Sequence, residues 1–184
     1  MMNDLKSQFT ITYENATGHC PAGEKFSRKM MDLSKTPVIS CEGSCIRGEI
    51  ARLAANMVAK EDEFARGCHG EFLSVPHSTM AKWAEKSKRI VVIDGCFLHC
   101  HGRLMQGIYG KDQLAVFDAL SFYGKYTDLM DIDDVPAEQR KDAAVAVFKG
   151  VLNHLDQEAP LCVPVEANVR CSDKSNVAES SCCS

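Results

Sequence analysis

The segment RIVVID, residues 89–94, constrains the fold more than any other part of this chain. Its four apolar residues in succession are typical of a strand that is buried on both faces, as strands of a parallel sheet are. Gly95 and Cys96 follow at once and turn the chain, and residues 98–108 can form the next helix. Because parallel strands need crossover connections, usually helices, this segment predicts an α/β fold.

A second strand-turn-helix unit precedes this one. Pro37, Val38 and Ile39 form a β-branched run that ends at Ser40 and Cys41. After a Gly-containing turn, an amphipathic stripe predicts a helix formed by Ile46, Ile50, Leu53, Ala54, Met57 and Val58. We therefore expect a three-layer α/β fold with a mainly parallel, Rossmann-like sheet of about four strands with flanking helices.

The remaining elements have weaker signals. We place a short strand at residues 66–68, a helix begun by Ser78 or Thr79, and a fourth strand at residues 126–132. Pro136 suits the first turn of a last helix that Asp133 or Asp134 can cap. The organisation predicted is an N-terminal extension with little structure of its own (1–35), a cysteine-bearing α/β domain (36–158) and a Cys-containing tail (159–184).

The composition of the chain argues against two classes of partner, nucleic acids and membranes. The net charge of −4 gives no basic field for nucleic acid or an anionic membrane, and no apolar stretch is long enough to span one. The chain shows no export signal at its start, so we expect a cytoplasmic protein. Its ten cysteines then stay reduced, which favours metal binding or catalysis over disulfides. Nothing in the sequence indicates a protein partner.

Three cysteines, Cys41, Cys68 and Cys96, close predicted strands. Residues at the carboxyl ends of parallel strands converge on one edge of the sheet, where ligands bind. Cys45 and Cys100 each lie four residues further on, one helical turn away. We therefore predict a metal site built by four of these five thiolates.

The metal expected is zinc, because four cysteines are its common structural set, and it is preferred over an iron–sulfur cluster with similar ligands. Four protein thiolates would close the site and make it structural. Three would leave a position for water or substrate and allow hydrolytic chemistry. The sequence does not decide whether the protein is an enzyme.

Residues 93–100, IDGCFLHC, together with Cys41, Gly43 and Cys68, resemble the DGC-domain family of zinc-binding proteins, whose motif matches Asp94-Gly95-Cys96. The resemblance runs from about Val38 to Leu104. It implies a small α/β fold without an assigned reaction, and zinc carried by Cys41, Cys68, Cys96 and Cys100.

Other residues near the motif have simpler interpretations. We expect Asp94 to accept hydrogen bonds from backbone N–H groups of the following turn, and Gly95 to permit the sharp turn itself. We expect four histidines to be ordinary exposed residues: His69, His77, His99 and His101. For His99 and His101, which flank Cys100, the alternative is that they bind the metal or support its ligands.

A rival interpretation concerns the first turn. The sequence from Cys41 to Arg47 is a CxxxxxR loop between a strand and a helix, similar to that of low-molecular-weight tyrosine phosphatases and arsenate reductases. Cys41 would be the nucleophile, Arg47 the oxyanion clamp, and Asp133 or Asp134 the general acid. Glu42 inside the loop would repel a phosphate. A third possibility is a thiol-redox or metal-trafficking role that uses the tail cysteines.

Overall fold

A computed structural model describes residues 10–12, 14 and 16–157 of the chain, so the predicted cysteine tail lies outside the described residues. Four strands and eight helical segments follow in this order: α1 (Pro21–Asp32), β1 (Thr36–Ser40), α2 (Ile46–Val58), β2 (Phe64–Arg66), α3 (His69–Ser74), α4 (Thr79–Lys86), β3 (Ile90–Asp94), α5 (Cys100–Tyr109), β4 (Leu114–Asp118), α6 (Ala119–Tyr123), a short 3-10 helix (Ile132–Asp134) and α7 (Ala137–Asp156).

The four strands form one parallel sheet in the order β2-β1-β3-β4. β1 pairs with β2 on one side and with β3 on the other, and the Cys41 N–H continues the pairing by donating to the Ile93 carbonyl at 2.9 Å. β1 and β3 are therefore the central strands, and the loops that follow them are neighbours. The predicted fold class is confirmed.

Helices cover both faces of the sheet. Val38 and Val91 pack on the side of α2 and α7, while their chain neighbours Ile39 and Val92 pack on the side of α1, α3, α4 and α5. All five residues of β3 are buried, as the apolar run predicted. Each fully buried Val or Ile contributes about 1.5–3 kcal/mol, so both faces of the central strands stabilise the fold.

The prediction that residues 1–35 have little structure of their own is wrong for α1. Cys20 caps this helix by accepting the Gly23 N–H, and Pro21 occupies its first turn. Glu24 accepts the Thr79 N–H at 2.6 Å and also contacts the Thr79 hydroxyl, which joins α1 to the start of α4. Met30 is buried in the core. Where the domain ends remains a prediction.

Two predictions in the second half of the chain are wrong. The fourth strand is Leu114–Asp118, whereas residues 126–132 form no strand: Tyr126 has a positive φ of 60°, residues 127–128 form a turn, and Ile132 begins the 3-10 helix. Asp133 and Asp134 do not cap α7, because they lie in the 3-10 helix that Asp131 caps. Among the described residues, no helix is long and apolar enough to cross a membrane.

Candidate metal site

Four loops meet at the carboxyl edge of the sheet. Cys41 follows β1 directly, Cys68 lies two residues after β2, and Cys96 lies two residues after β3. The strand order places them in the succession Cys68, Cys41, Cys96, with Asp118 at the end of β4 beyond them. The predicted arrangement of three cysteines along one edge is therefore present, with Cys41 in the middle.

The tightest cluster at this edge contains one thiol, one carboxylate and one imidazole. Ligand atoms of Cys41, Asp94 and His101 lie within 4.8 Å of one another. Asp94 is 1% exposed and accepts the N–H groups of His101 at 3.1 Å and Gly102 at 2.8 Å. As predicted, it holds the backbone that follows its strand, here the first turn of α5. This capping places the His101 side chain next to the Cys41 thiol.

The cluster stabilises a thiolate next to an imidazolium. A hydrogen bond with Asp94, and a second with Cys41, raise the pKa of His101 to about 10 although burial acts against it. Burial alone would raise the pKa of Cys41, but bonds from His101 and from the N–H groups of Gly43 and Gly95 outweigh it, so the pKa is lowered. The Gly43 nitrogen lies 3.3 Å from Cys41 Sγ. A cation of higher charge could replace the proton that the pair shares.

The expectation of exposed histidines is correct for His77 and wrong for three others. His99 is 6% exposed, and its Nδ1, 3.9 Å from Asp94 Oδ2, has no hydrogen-bond partner among the described residues. The His101 side chain is 16% exposed, and its ring stands edge-to-face against His69 at 5.3 Å. Burial lowers the pKa of His69, and so does the charge of His101.

The other four thiols lie around this cluster rather than in it. Cys45 and Cys96 are partly buried, and Cys68 and Cys100 are exposed. Within the part of the chain that the structure describes, the group with Cys41 alone brings three ligand atoms within 4.8 Å of one another. Cys45 is the N-cap of α2, and Cys100 is the first residue of α5. The helical-turn spacing used to align them with Cys41 and Cys96 therefore does not apply.

Cys45 and Cys96 share a different neighbour. Arg47, in the first turn of α2, hydrogen-bonds Cys45, and its charge acts on Cys96. Burial raises the pKa of Cys96, and the Leu98 N–H and Arg47 offset this only in part. The Arg47 backbone packs against Gly95, since a Cβ on Gly95 would lie 2.9 Å from the Arg47 carbonyl carbon.

The first loop departs from the phosphatase interpretation at Arg47, and at Glu42 it removes an objection to that interpretation. Arg47 lies with Cys45, Cys96 and Tyr123, while the neighbours of Cys41 are His101 and Asp94. Glu42, expected to repel a phosphate, accepts hydrogen bonds from Ser40 Oγ at 2.9 Å and Arg66 Nη2 at 3.2 Å, so its charge is paired.

His101 is the residue of this site that the sequence interpretation undervalued. Cys100 and His101 are adjacent on a helix, so their side chains differ in direction by about 100° and one alone can face the strand end. The start of α5 decides which one does. The signal that could have identified His101 is Asp94, because a capping carboxylate fixes the first turn of the following helix.

No curated protein and no solved structure matches this chain. A family model does: the DGC domain matches residues 37–141, which include three strands, all but the first residue of β1, and every residue of the site described above. The match covers more than half of the chain and agrees with the resemblance carried by residues 93–100. The chain therefore belongs to the DGC-domain family.

Proposed function

We propose that this protein binds a metal ion, Zn²⁺, at the carboxyl edge of its sheet. The observation that supports this most is the convergence of Cys41, Asp94 and His101 within 4.8 Å. A tetrahedral zinc ion with bonds of about 2.0–2.3 Å needs ligand atoms about 3.3–3.8 Å apart, which small side-chain rotations would reach from here. Thiolate and imidazole are also the ligands that zinc prefers.

Within this proposal Cys41 and His101 are ligands, and Asp94 orients His101. Asp94 already accepts two backbone N–H groups, and its Oδ1 lies 3.5 Å from His101 Nδ1. A carboxylate that fixes a ligating histidine is a common support of zinc sites. Of the predicted thiols, Cys68, Cys96 and Cys100 are the candidates for the remaining positions, and Cys45 is the least favoured because it contacts Arg47.

The number of thiols that join Cys41 determines the chemistry. Two would complete a closed structural site, whereas one would leave a position for water or a substrate. We place the protein in the cytoplasm, where reducing conditions keep such thiols free. An iron–sulfur cluster is less favoured, because an imidazole beside the central thiolate suits zinc better than a cluster held by thiolates.

Elemental analysis of full-length protein purified without added metal tests the proposal. We expect about one equivalent of zinc, and at least a tenfold loss of zinc affinity in Cys41→Ser, Cys96→Ser and His101→Gln. Cys20→Ser is the matched control, since this exposed thiol caps α1 and belongs to a different part of the fold. Wild-type zinc content in Cys41→Ser would contradict the proposal.

A phosphatase-like activity is the second candidate, favoured by the lowered pKa of Cys41 and the Gly43 N–H that points at its sulfur. It predicts phosphoester hydrolysis that requires Cys41 and Arg47 and survives a chelator. Asp133→Asn and Asp134→Asn test the general acid, and both residues are exposed. Hydrolysis that disappears with the metal would instead favour an open zinc site.

A further inference from the structure

A second polar cluster lies beside the Cys41 cluster, on the α2 and α6 side of the sheet edge. It is formed by Arg47, Tyr123, Asp118, Cys45 and Cys96, each of which interacts electrostatically with at least one other member. The metal proposal leaves Arg47 and Tyr123 without a role. Gly95 contacts both clusters, because its N–H donates to Cys41 while the Arg47 backbone packs against its α-carbon.

Two donors of this cluster are unsatisfied. Arg47 Nε and the Tyr123 hydroxyl are both shielded from solvent, and neither has a hydrogen-bond partner among the described residues. Nδ1 of the buried His99 is a third such atom at this edge of the sheet, 3.9 Å from Asp94 Oδ2. Leaving such groups unpaired is unfavourable, so a set of them usually marks a place that a ligand or an ion completes.

The position in the fold is one where ligands bind. The connections after β1 and β3 leave on opposite faces of the sheet, since α2 and α5 belong to different layers. Such a switch between neighbouring parallel strands opens a crevice at their carboxyl ends. Arg47 lies beside this switch point, in the first turn of α2.

The charges favour an anion as the missing partner. The guanidinium of Arg47 is a permanent cation whose fork matches the geometry of phosphate and carboxylate. Asp118 is the carboxylate of this cluster. Its Oδ1 accepts the Leu120 N–H at 2.9 Å, which caps α6. Asp118 is therefore engaged elsewhere, and within the described part of the chain it forms no ion pair with Arg47.

We propose that Arg47 and Tyr123 bind an oxyanion, the phosphate or carboxylate group of a small ligand, in the crevice next to the metal site. Arg47 is the cationic anchor, and the Tyr123 hydroxyl is a second donor. The site does not depend on bound metal. Together with the proposed ion, it would hold a ligand at two points.

Calorimetric titration of the full-length reduced protein with inorganic phosphate tests this site, as purified and again after chelation. We expect Arg47→Gln to weaken phosphate binding at least tenfold and Tyr123→Phe about threefold to tenfold. Arg52→Gln is the matched control, because Arg52 lies on the same helix but is paired with Glu49. Sulfate and acetate titrations distinguish a tetrahedral oxyanion from a carboxylate.

The inference is overturned if none of the three anions binds the wild type with a dissociation constant below about 10 mM. Equal weakening by Arg52→Gln and Arg47→Gln would also overturn it. If Arg47→Gln does not fold, phosphate binding by Tyr123→Phe is the deciding measurement, and unchanged binding there would overturn the inference. Zinc content measured on the wild-type samples separates the proposals. A wild type that holds zinc but binds no anion removes this proposal alone, and a wild type that binds an anion but holds no zinc removes only the metal site.

Discussion

At the scale of single residues, the closest packing at the site is between backbones. Gly95, the middle residue of the DGC motif, has no room for a side chain, because a Cβ would lie 2.9 Å from the Arg47 carbonyl carbon and 3.0 Å from the Gly48 nitrogen. Gly48 is equally tight, since a Cβ added there would lie 2.4 Å from the Gly43 carbonyl oxygen. These glycines let the β1–α2 and β3–α5 loops approach each other.

Gly95→Ala should therefore destabilise the protein by about 1–3 kcal/mol, since backbone atoms must move to admit the methyl group. It should also lower zinc content, because the same backbone movement would displace the N–H of residue 95 that donates to Cys41. Urea unfolding and elemental analysis measure the two effects.

Gly107→Ala is the control for this substitution. Gly107 lies inside α5, the helix that follows the DGC motif, and a Cβ there would meet nothing within 4 Å. We expect this variant to be more stable by about 0.5–1 kcal/mol, because alanine favours the helix. Equal destabilisation of both variants would contradict the packing described at Gly95.

The sequence identifies some of these residues and not others for a physical reason. Cys41 and Asp94 are predictable because a strand end fixes where the next side chain lies, whatever the loop does afterwards. His101 and Cys100 are not, because their directions depend on the residue at which α5 begins. Arg47 and Tyr123 are 76 positions apart in the sequence, and no local pattern relates them.

At the scale of elements, Glu24 joins two helices at the face opposite to α2. Glu24 accepts hydrogen bonds from the Thr79 hydroxyl and from the Thr79 N–H. These bonds, the hydroxyl having the larger effect, lower the pKa of Glu24 from 4.5 to about 2. A lowered folded-state pKa stabilises the protein above the unfolded value, and the effect is lost as pH falls from about 4.5 to about 2.

Glu24→Gln should accordingly be less stable than the wild type near neutral pH, and the difference should shrink as the pH falls through this range. Urea unfolding at a series of pH values checks the trend. Glu61→Gln, at an exposed glutamate, should show no comparable pH-dependent difference. A gap between Glu24→Gln and the wild type that stays constant down to about pH 2 would contradict the link.

The elements that the sequence predicts well are those with long or continuous apolar patterns. The stripe of α2 and the run of β3 define their elements because each buries a whole face. β4 has the same length as β3 and a similar apolar run, but the residues that follow it in α6 are also mostly apolar, so its pattern is hard to separate from theirs. α1 is hard to predict because Cys20 is an unusual cap and Met30 alone of its apolar residues is buried.

At the scale of the whole molecule, α1 lies before the first residue matched by the family model yet completes one helical layer. Removing residues 1–35 should expose the faces of α3 and α4 that it covers and lower the urea midpoint strongly. The predicted boundary at residue 36 would then describe the family domain rather than the stable unit.

Point substitutions in α1 give the same test without a truncation. Met30→Ala should reduce the free energy of unfolding by about 2 kcal/mol, since Met30 is 7% exposed. Leu33→Ala should change it by less than about 0.5 kcal/mol, because Leu33 is 54% exposed. Equal effects would mean that α1 does not contribute to the core.

The central position of β1 also matters while the chain is being made. Cys41 leaves the ribosome about 60 residues before His101, and the sheet that joins them needs β3 as well. The ends of so long a segment meet only at a cost in chain entropy, which the pairing of β1 with β3 must offset. The thiol of Cys41 therefore emerges without the histidine that stabilises its thiolate in the folded protein.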